Sequence, residues 1–160
     1  MILAGVAAAA LGGAVAPPPV ASVIPSAQSD YLLNCGGCHG VDGRSIDRLV
    51  PQLKDEVGAF RCSPEGRAYV ARLPNVAFAP LDDRRLSELL NYVFSLDSHP
   101  YKRRGPPYTP AEVAALRRRP LAGAPLLAYR RELVDGFVKD CGANPALKQY
   151  GSPPRSRPRS

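Results

Sequence analysis

Five consecutive residues, Cys35-Gly36-Gly37-Cys38-His39, constrain this chain more than any other stretch. Two thiols in C-x-x-C spacing, with an imidazole on the very next residue, put three strongly ligating or nucleophilic groups inside one turn of backbone. A bare C-x-x-C reads as a redox dithiol or as half of a zinc site. The zinc reading needs more ligands, and the chain has only two further cysteines, Cys62 and Cys141, and one further histidine, His99. The redox-dithiol reading expects a βαβ context, which the sequence does not provide. With the histidine directly after the second cysteine, the pentapeptide matches the attachment signature for a c-type haem.

The chemistry explains the spacing. Two thiols add across the two vinyl groups of one haem and leave two thioether bonds. The next residue then lies under the iron and ligates it through an imidazole nitrogen. One covalent haem (heme c) with its iron is therefore expected on Cys35, Cys38 and His39.

The N-terminus agrees with that expectation. From Met1 to Ala16 the chain is almost wholly apolar, with Ile2, Leu3, Val6, a run of alanines, Leu11 and Val15. This reads as the apolar region of a secretory signal. Residues 1–27 are expected to be a signal peptide, cleaved near Ser22 or Ala27. An uncleaved anchor is the alternative, although the stretch is shorter than the roughly 20 residues a span needs. Export and covalent haem attachment together point to the bacterial periplasm.

The chain of 160 residues then leaves one small domain. Its 18 prolines and 14 glycines imply short helices separated by much loop. Long β-patterned runs are absent, so an all-α fold is expected. The net charge of +7 lies wholly after residue 25. Export disfavours a nucleic-acid partner, so a basic surface steering the protein to an acidic redox partner fits best. The segments Lys102-Arg103-Arg104 and Arg117-Arg118-Arg119 are the candidate docking faces.

Local signals place the elements. Ser29 or Asp30 is expected to cap a first helix, Tyr31-Leu32-Leu33-Asn34, that runs into the pentapeptide. Ser63 caps a short helix from Pro64 to about Leu73. Residues 73–80 read as an extended, apolar loop bounded by Pro74 and Pro80. Asp82 caps the clearest helix, to about Leu96, with Leu86, Leu89, Leu90, Val93 and Phe94 on one face. Thr109-Pro110-Ala111-Glu112 reads as a capping box opening a helix to Arg119, and a last helix is expected from Pro125 to Asp140. From Gly151 the chain reads as a disordered basic tail.

Residues 28–97 resemble a class I-type monohaem cytochrome c. The likeness rests on the order of elements, on Tyr31-Leu32-Leu33-Asn34-Cys35-Gly36-Gly37-Cys38-His39-Gly40, and on Leu81-Asp82-Asp83 through Asn91-Tyr92-Val93. It implies a small helical fold around one haem, with the first and last core helices packed together beside it. Residues 98–150 are then a helical C-terminal extension and 151–160 the tail. The resemblance also assigns roles: the Pro51 carbonyl accepts a hydrogen bond from the proximal imidazole, fixing the His39 tautomer. Arg44, Arg48 and Tyr69 are candidates for the haem propionates.

One departure matters. Class I carriers usually ligate the sixth iron position with a methionine from the loop before the last core helix. The one methionine here is Met1, and the loop offers Asn75, Val76, Ala77 and Phe78 instead. Three readings stay open: His99 as a second imidazole ligand, Cys62 as a thiolate, or an open position near Asn75. Against the thiolate, an exported protein with two spare cysteines usually pairs them, here Cys62 with Cys141. The expected function is single-electron transfer with no catalytic residue. The alternative is a haem protein that binds or turns over peroxide, NO or CO at a vacant sixth position.

Overall fold

Among the described residues the protein has seven α-helices and no strand. The computed structural model describes residues 24–45, 49–102 and 104–150. The expected signal segment up to residue 23, Arg48, Arg103 and the expected tail from Gly151 lie outside them. The helices are α1 (Ser26–Asn34), α2 (Gly36–His39), α3 (Pro64–Arg72), α4 (Pro74–Ala77), α5 (Asp83–Ser95), α6 (Pro110–Arg117) and α7 (Leu126–Cys141). Two short 3₁₀ turns, Val57–Arg61 and Pro145–Gln149, complete the fold. Among the described residues no helix is long and apolar enough to cross a membrane.

The start of α1 differs from the sequence expectation. The helix begins at Ser26 after Pro25, and Asp30 and Tyr31 lie inside it, both buried. Asp30 does not cap. Its carboxylate faces α5 and pairs with Arg85, whose Nε lies 3.1 Å from Oδ2. Beside this pair the Tyr31 and Tyr92 rings meet at 5.5 Å. The capping signal was real chemistry spent on a tertiary ion pair, and it joins the helix before the pentapeptide to α5.

The other starts follow their caps. Ser63 accepts from the Gly66 amide at 3.1 Å and Asp82 accepts from the Arg85 amide at 2.7 Å. Thr109 accepts from the Glu112 amide at 3.2 Å, but the Glu112 carboxylate goes elsewhere. It accepts from Arg67 on α3, whose Nη2 lies 2.6 Å from Oε2 and 2.8 Å from Oε1 and whose Nε lies 3.2 Å from Oε1. Residues 74–77, expected to be extended, form one turn of helix, because Pro74 at its first position suits a helix start.

Residues 98–150 share one hydrophobic core with residues 24–97. Tyr108, Val113, Leu121, Val134, Phe137 and Leu147 join Tyr31, Phe60, Leu86, Leu90 and Phe94 in it. Polar links cross the same boundary. Asn91 on α5 exchanges both of its amide bonds with the Tyr108 backbone, at 2.7 and 3.0 Å, and the Tyr108 hydroxyl donates to the Arg67 carbonyl at 2.8 Å. α7 lies close against α3: a side chain at Gly66 would collide with the Phe137 ring and the Phe60 carbonyl. A disulfide between Cys62 and Cys141, with Cα atoms 6.2 Å apart, closes this contact covalently.

Candidate cofactor site at the C-x-x-C-H turn

The pentapeptide occupies a single helical turn. The Cys35 carbonyl accepts from the amides of Cys38 and His39, at 3.2 and 2.9 Å, and the Cys35 amide continues α1 by donating to the Tyr31 carbonyl at 2.8 Å. The Tyr31 hydroxyl reaches past the turn and donates to the Gly40 carbonyl at 2.6 Å. Burial of that phenol beside Cys35 pushes its pKa up to about 12, so it stays a donor. Both ends of the turn are therefore fixed by one buried tyrosine of α1.

The next loop folds back on the turn. The Gly43 carbonyl accepts from the Leu53 and Lys54 amides, at 2.9 and 3.0 Å. Gly43 has φ +85°, and a Cβ there would crowd the Leu96 side chain and the Lys54 amide, so glycine suits the position. This return brings Pro51 to His39. Nδ1 of His39 lies 2.9 Å from the Pro51 carbonyl oxygen. A carbonyl only accepts, so Nδ1 carries the proton and Nε2 keeps its lone pair. Burial holds the His39 pKa below the ordinary value, which preserves the neutral ligating form. The Ser45 hydroxyl donates to the same carbonyl at 2.9 Å, a second support that the sequence reading did not single out. Its signal was modest: a serine in the turn-rich loop between the motif and Pro51.

Cys35 and Cys38 are free thiols, Cys35 half-buried and Cys38 exposed, while the chain's other two cysteines are joined. Burial pushes the Cys35 thiol up to about 11. Large apolar side chains stand exposed nearby in sequence: Leu33 (83 %), Val41 (72 %) and Leu49 (81 %) lie two residues before Cys35, two after His39 and two before Pro51. Phe78, on the loop after α4, is also exposed. Among the described residues no three His, Cys, Asp or Glu side chains gather in a metal cluster. A pair of free thiols and one neutral imidazole with its tautomer fixed are the donor set that a macrocycle with two vinyl groups and an iron would need.

Other expected site residues fall elsewhere. Arg44 pairs with Asp42 on the exposed loop. Tyr69 is buried against Phe60 and Tyr129, each ring 5.5 Å away, and its hydroxyl lies 3.5 Å from the Leu126 carbonyl. Cys62 is half of the disulfide, which removes it as a thiolate ligand. His99 stacks on Tyr101 at 4.5 Å, with its amide on Asp97 and its carbonyl taking Arg104; its Nδ1 is buried without a hydrogen-bond partner. Asn75 is exposed on α4.

Arg117 does not stand with its neighbours in the candidate docking segment. Arg118 and Arg119 are exposed, but Arg117 turns inward and binds the segment after α4. No family model, no curated protein and no solved structure matches the chain.

Proposed function

We propose that this chain is an exported c-type cytochrome of the class I type that carries single electrons on one haem. The observation that carries the reading is the 2.9 Å bond from His39 Nδ1 to the Pro51 carbonyl, made beside two free thiols in a chain whose other cysteines are oxidised. Cys35 and Cys38 supply the thiols whose S–H bonds add across the two vinyl groups. His39 supplies Nε2 to the iron, and Pro51 and Ser45 hold the ring. Bound there, the haem supplies reversible one-electron exchange at its iron. The packing of α1 on α5, with the motif directly after α1, supports the small cytochrome architecture. The site would face the periplasm, and Lys102, Arg104, Arg118 and Arg119, all exposed, suit an acidic redox partner.

The far side of the iron distinguishes this reading from ligand-binding chemistry. Residues 74–81 contain no methionine, histidine or cysteine. They favour an open sixth position, with His99 as the other candidate ligand. The test is a pyridine haemochrome assay on the protein matured with the c-type attachment machinery, followed by a redox titration. One haem per chain that survives acid extraction, lost on Cys35→Ala together with Cys38→Ala, and a one-electron transition are expected. Absence of covalent haem sinks the proposal. His99→Ala is expected to leave the ferric and ferrous spectra unchanged; a low-spin spectrum lost in that variant assigns His99 to the iron instead.

A further inference from the structure

We propose that the cavity between the start of α3 and residues 104–106 binds a small oxyanion of the phosphate class, carrying about two negative charges. The inference does not rest on the haem reading and uses none of its residues.

The cavity has a volume of about 570 Å³, within the range of small-molecule sites. Arg61, Arg67 and Arg104 line it, and among the described residues Glu112 is the one carboxylate that does. Glu112 is already matched, because Arg67 Nη2 lies 2.6 Å from its Oε2. Among the described residues neither Arg61 nor Arg104 pairs with a carboxylate. Two of the cavity's positive charges are therefore unmatched. Burial holds the Arg61 pKa below its ordinary value, and repulsion from Arg67 and Arg104 adds to that shift. A dianion in the cavity relieves the repulsion.

The guanidiniums are in place before any ligand arrives. Arg61 Nε lies 3.1 Å from the Gly105 carbonyl oxygen, and Nη2 donates to the same oxygen. The Gly105 amide returns a bond to the Arg61 carbonyl at 2.8 Å. Arg67 is pinned by Glu112, by the Pro106 carbonyl and by the Tyr108 ring, 4.2 Å away. Arg104 Nη2 donates to the His99 carbonyl. Gly105 permits this closeness, since a Cβ there would lie 3.0 Å from Arg67 Cδ and 3.1 Å from the Arg61 carbonyl oxygen. These bonds leave Nη1 of Arg61, and Nε and Nη1 of Arg104, uncommitted among the described residues. Guanidinium donors pair with phosphate and carboxylate oxygens through charge-assisted hydrogen bonds. Phosphate suits two unmatched cations better than one carboxylate does, because it carries close to two charges at neutral pH. Its oxygens also point several ways, toward donors that come from separate segments. Pro64, Ala68 and Leu116 line the remainder, an apolar wall for the body of a phosphorylated small molecule.

Isothermal titration of the full chain with inorganic phosphate, in chloride buffer of fixed ionic strength, tests the site. One saturable site per chain is expected. Arg61→Gln and Arg104→Gln are each expected to weaken it about ten-fold, the effect of losing one hydrogen bond to a charged group. Arg118→Gln removes an exposed arginine outside the cavity wall and is expected to leave the affinity unchanged. Arg104 is exposed, so Arg104→Gln carries the test if Arg61→Gln fails to fold. Phenyl phosphate that binds more tightly than inorganic phosphate supports a phosphorylated small molecule, and equal affinities support free phosphate. No saturable heat from wild type overturns the proposal. Equal losses in Arg104→Gln and Arg118→Gln overturn it too, because phosphate then senses net charge alone. Succinate that binds more tightly than phosphate overturns the phosphate class.

Discussion

Among the described residues α5 and α7 are the two longest helices, with 13 and 16 residues, and they are docked by different physics. α5 buries Leu86, Leu89, Leu90, Val93 and Phe94, a continuous apolar stripe. α7 buries Arg130, Val134, Phe137 and Cys141 at the same helical spacing, but a guanidinium opens that stripe and half of a disulfide closes it. The Arg130 guanidinium sits 4.7 Å from the Tyr150 ring and 5.6 Å from the Phe60 ring, and it donates to the Leu147 carbonyl at 2.8 Å. Apolar burial is strong and tolerant of neighbours. A buried cation needs each partner in place and returns little net free energy once its desolvation is counted. α7, on this comparison, depends on its covalent bond more than α5 depends on any single side chain.

The largest effect should therefore come from the disulfide. Cys62 and Cys141 are 79 residues apart, and closing a loop of that length restricts the unfolded chain by about 4.5 kcal/mol in the chain-entropy account. Cys62→Ala with Cys141→Ala is expected to lower stability by an amount of that order in urea unfolding. A mild reductant should do the same to wild type and nothing further to the double variant. The thioethers expected at Cys35 and Cys38 resist such reductants, so the optical spectrum of the native state should persist. A double variant as stable as wild type would show that α7 is docked by its side chains after all.

The two stripes can then be weighed directly. Leu90→Ala in α5 is expected to cost about 3 kcal/mol, because Leu90 is 2 % exposed and its removal leaves a cavity. Arg130→Met is expected to cost only about 1 kcal/mol, since the lost cation–π contacts and hydrogen bond are offset by the relief of desolvation. An Arg130→Met cost matching that of Leu90→Ala would mean that the guanidinium anchors α7 as firmly as leucines anchor α5.

How legible the fold was follows the same division. α5 was readable because its stripe is uniform and Asp82 caps it, and α3 and α6 were readable from Ser63 and Thr109. The place of α7 was hidden, because an arginine in the stripe reads as a solvated residue. The true start of α1 was hidden because a capping-type residue, Asp30, serves a distant arginine. At the site, Cys35, Cys38, His39 and Pro51 could be named from spacing and resemblance, and the structure brings His39 and Pro51 together. Ser45 could not, and neither could the inward turn of Arg117. Each works by donating to backbone carbonyls, and carbonyls leave no mark on a sequence.

Glu56 gives the smallest test and the sharpest reading of the Arg130 environment. Burial holds its carboxyl above the ordinary carboxylate value of 4.5; Arg130 opposes that shift and Asp97 adds to it. An acid with a raised folded pKa binds its proton more tightly in the native state. Its contribution to stability is present in full below about 4.5 and is lost as pH rises through the folded value. At neutral pH, then, the ionised Glu56 opposes folding. Glu56→Gln is expected to be more stable than wild type at pH 7, by about 0.5 kcal/mol given the partial exposure, and no more stable at pH 4. In the Arg130→Met background the opposing cation is gone, the carboxyl rises further, and the gain from Glu56→Gln at pH 7 should grow. Urea unfolding of the four proteins at the two pH values measures that coupling. A gain at pH 7 that is the same in both backgrounds would separate the two residues energetically. α7 would then owe nothing to the charge beneath it, and the contrast with α5 would reduce to the disulfide alone.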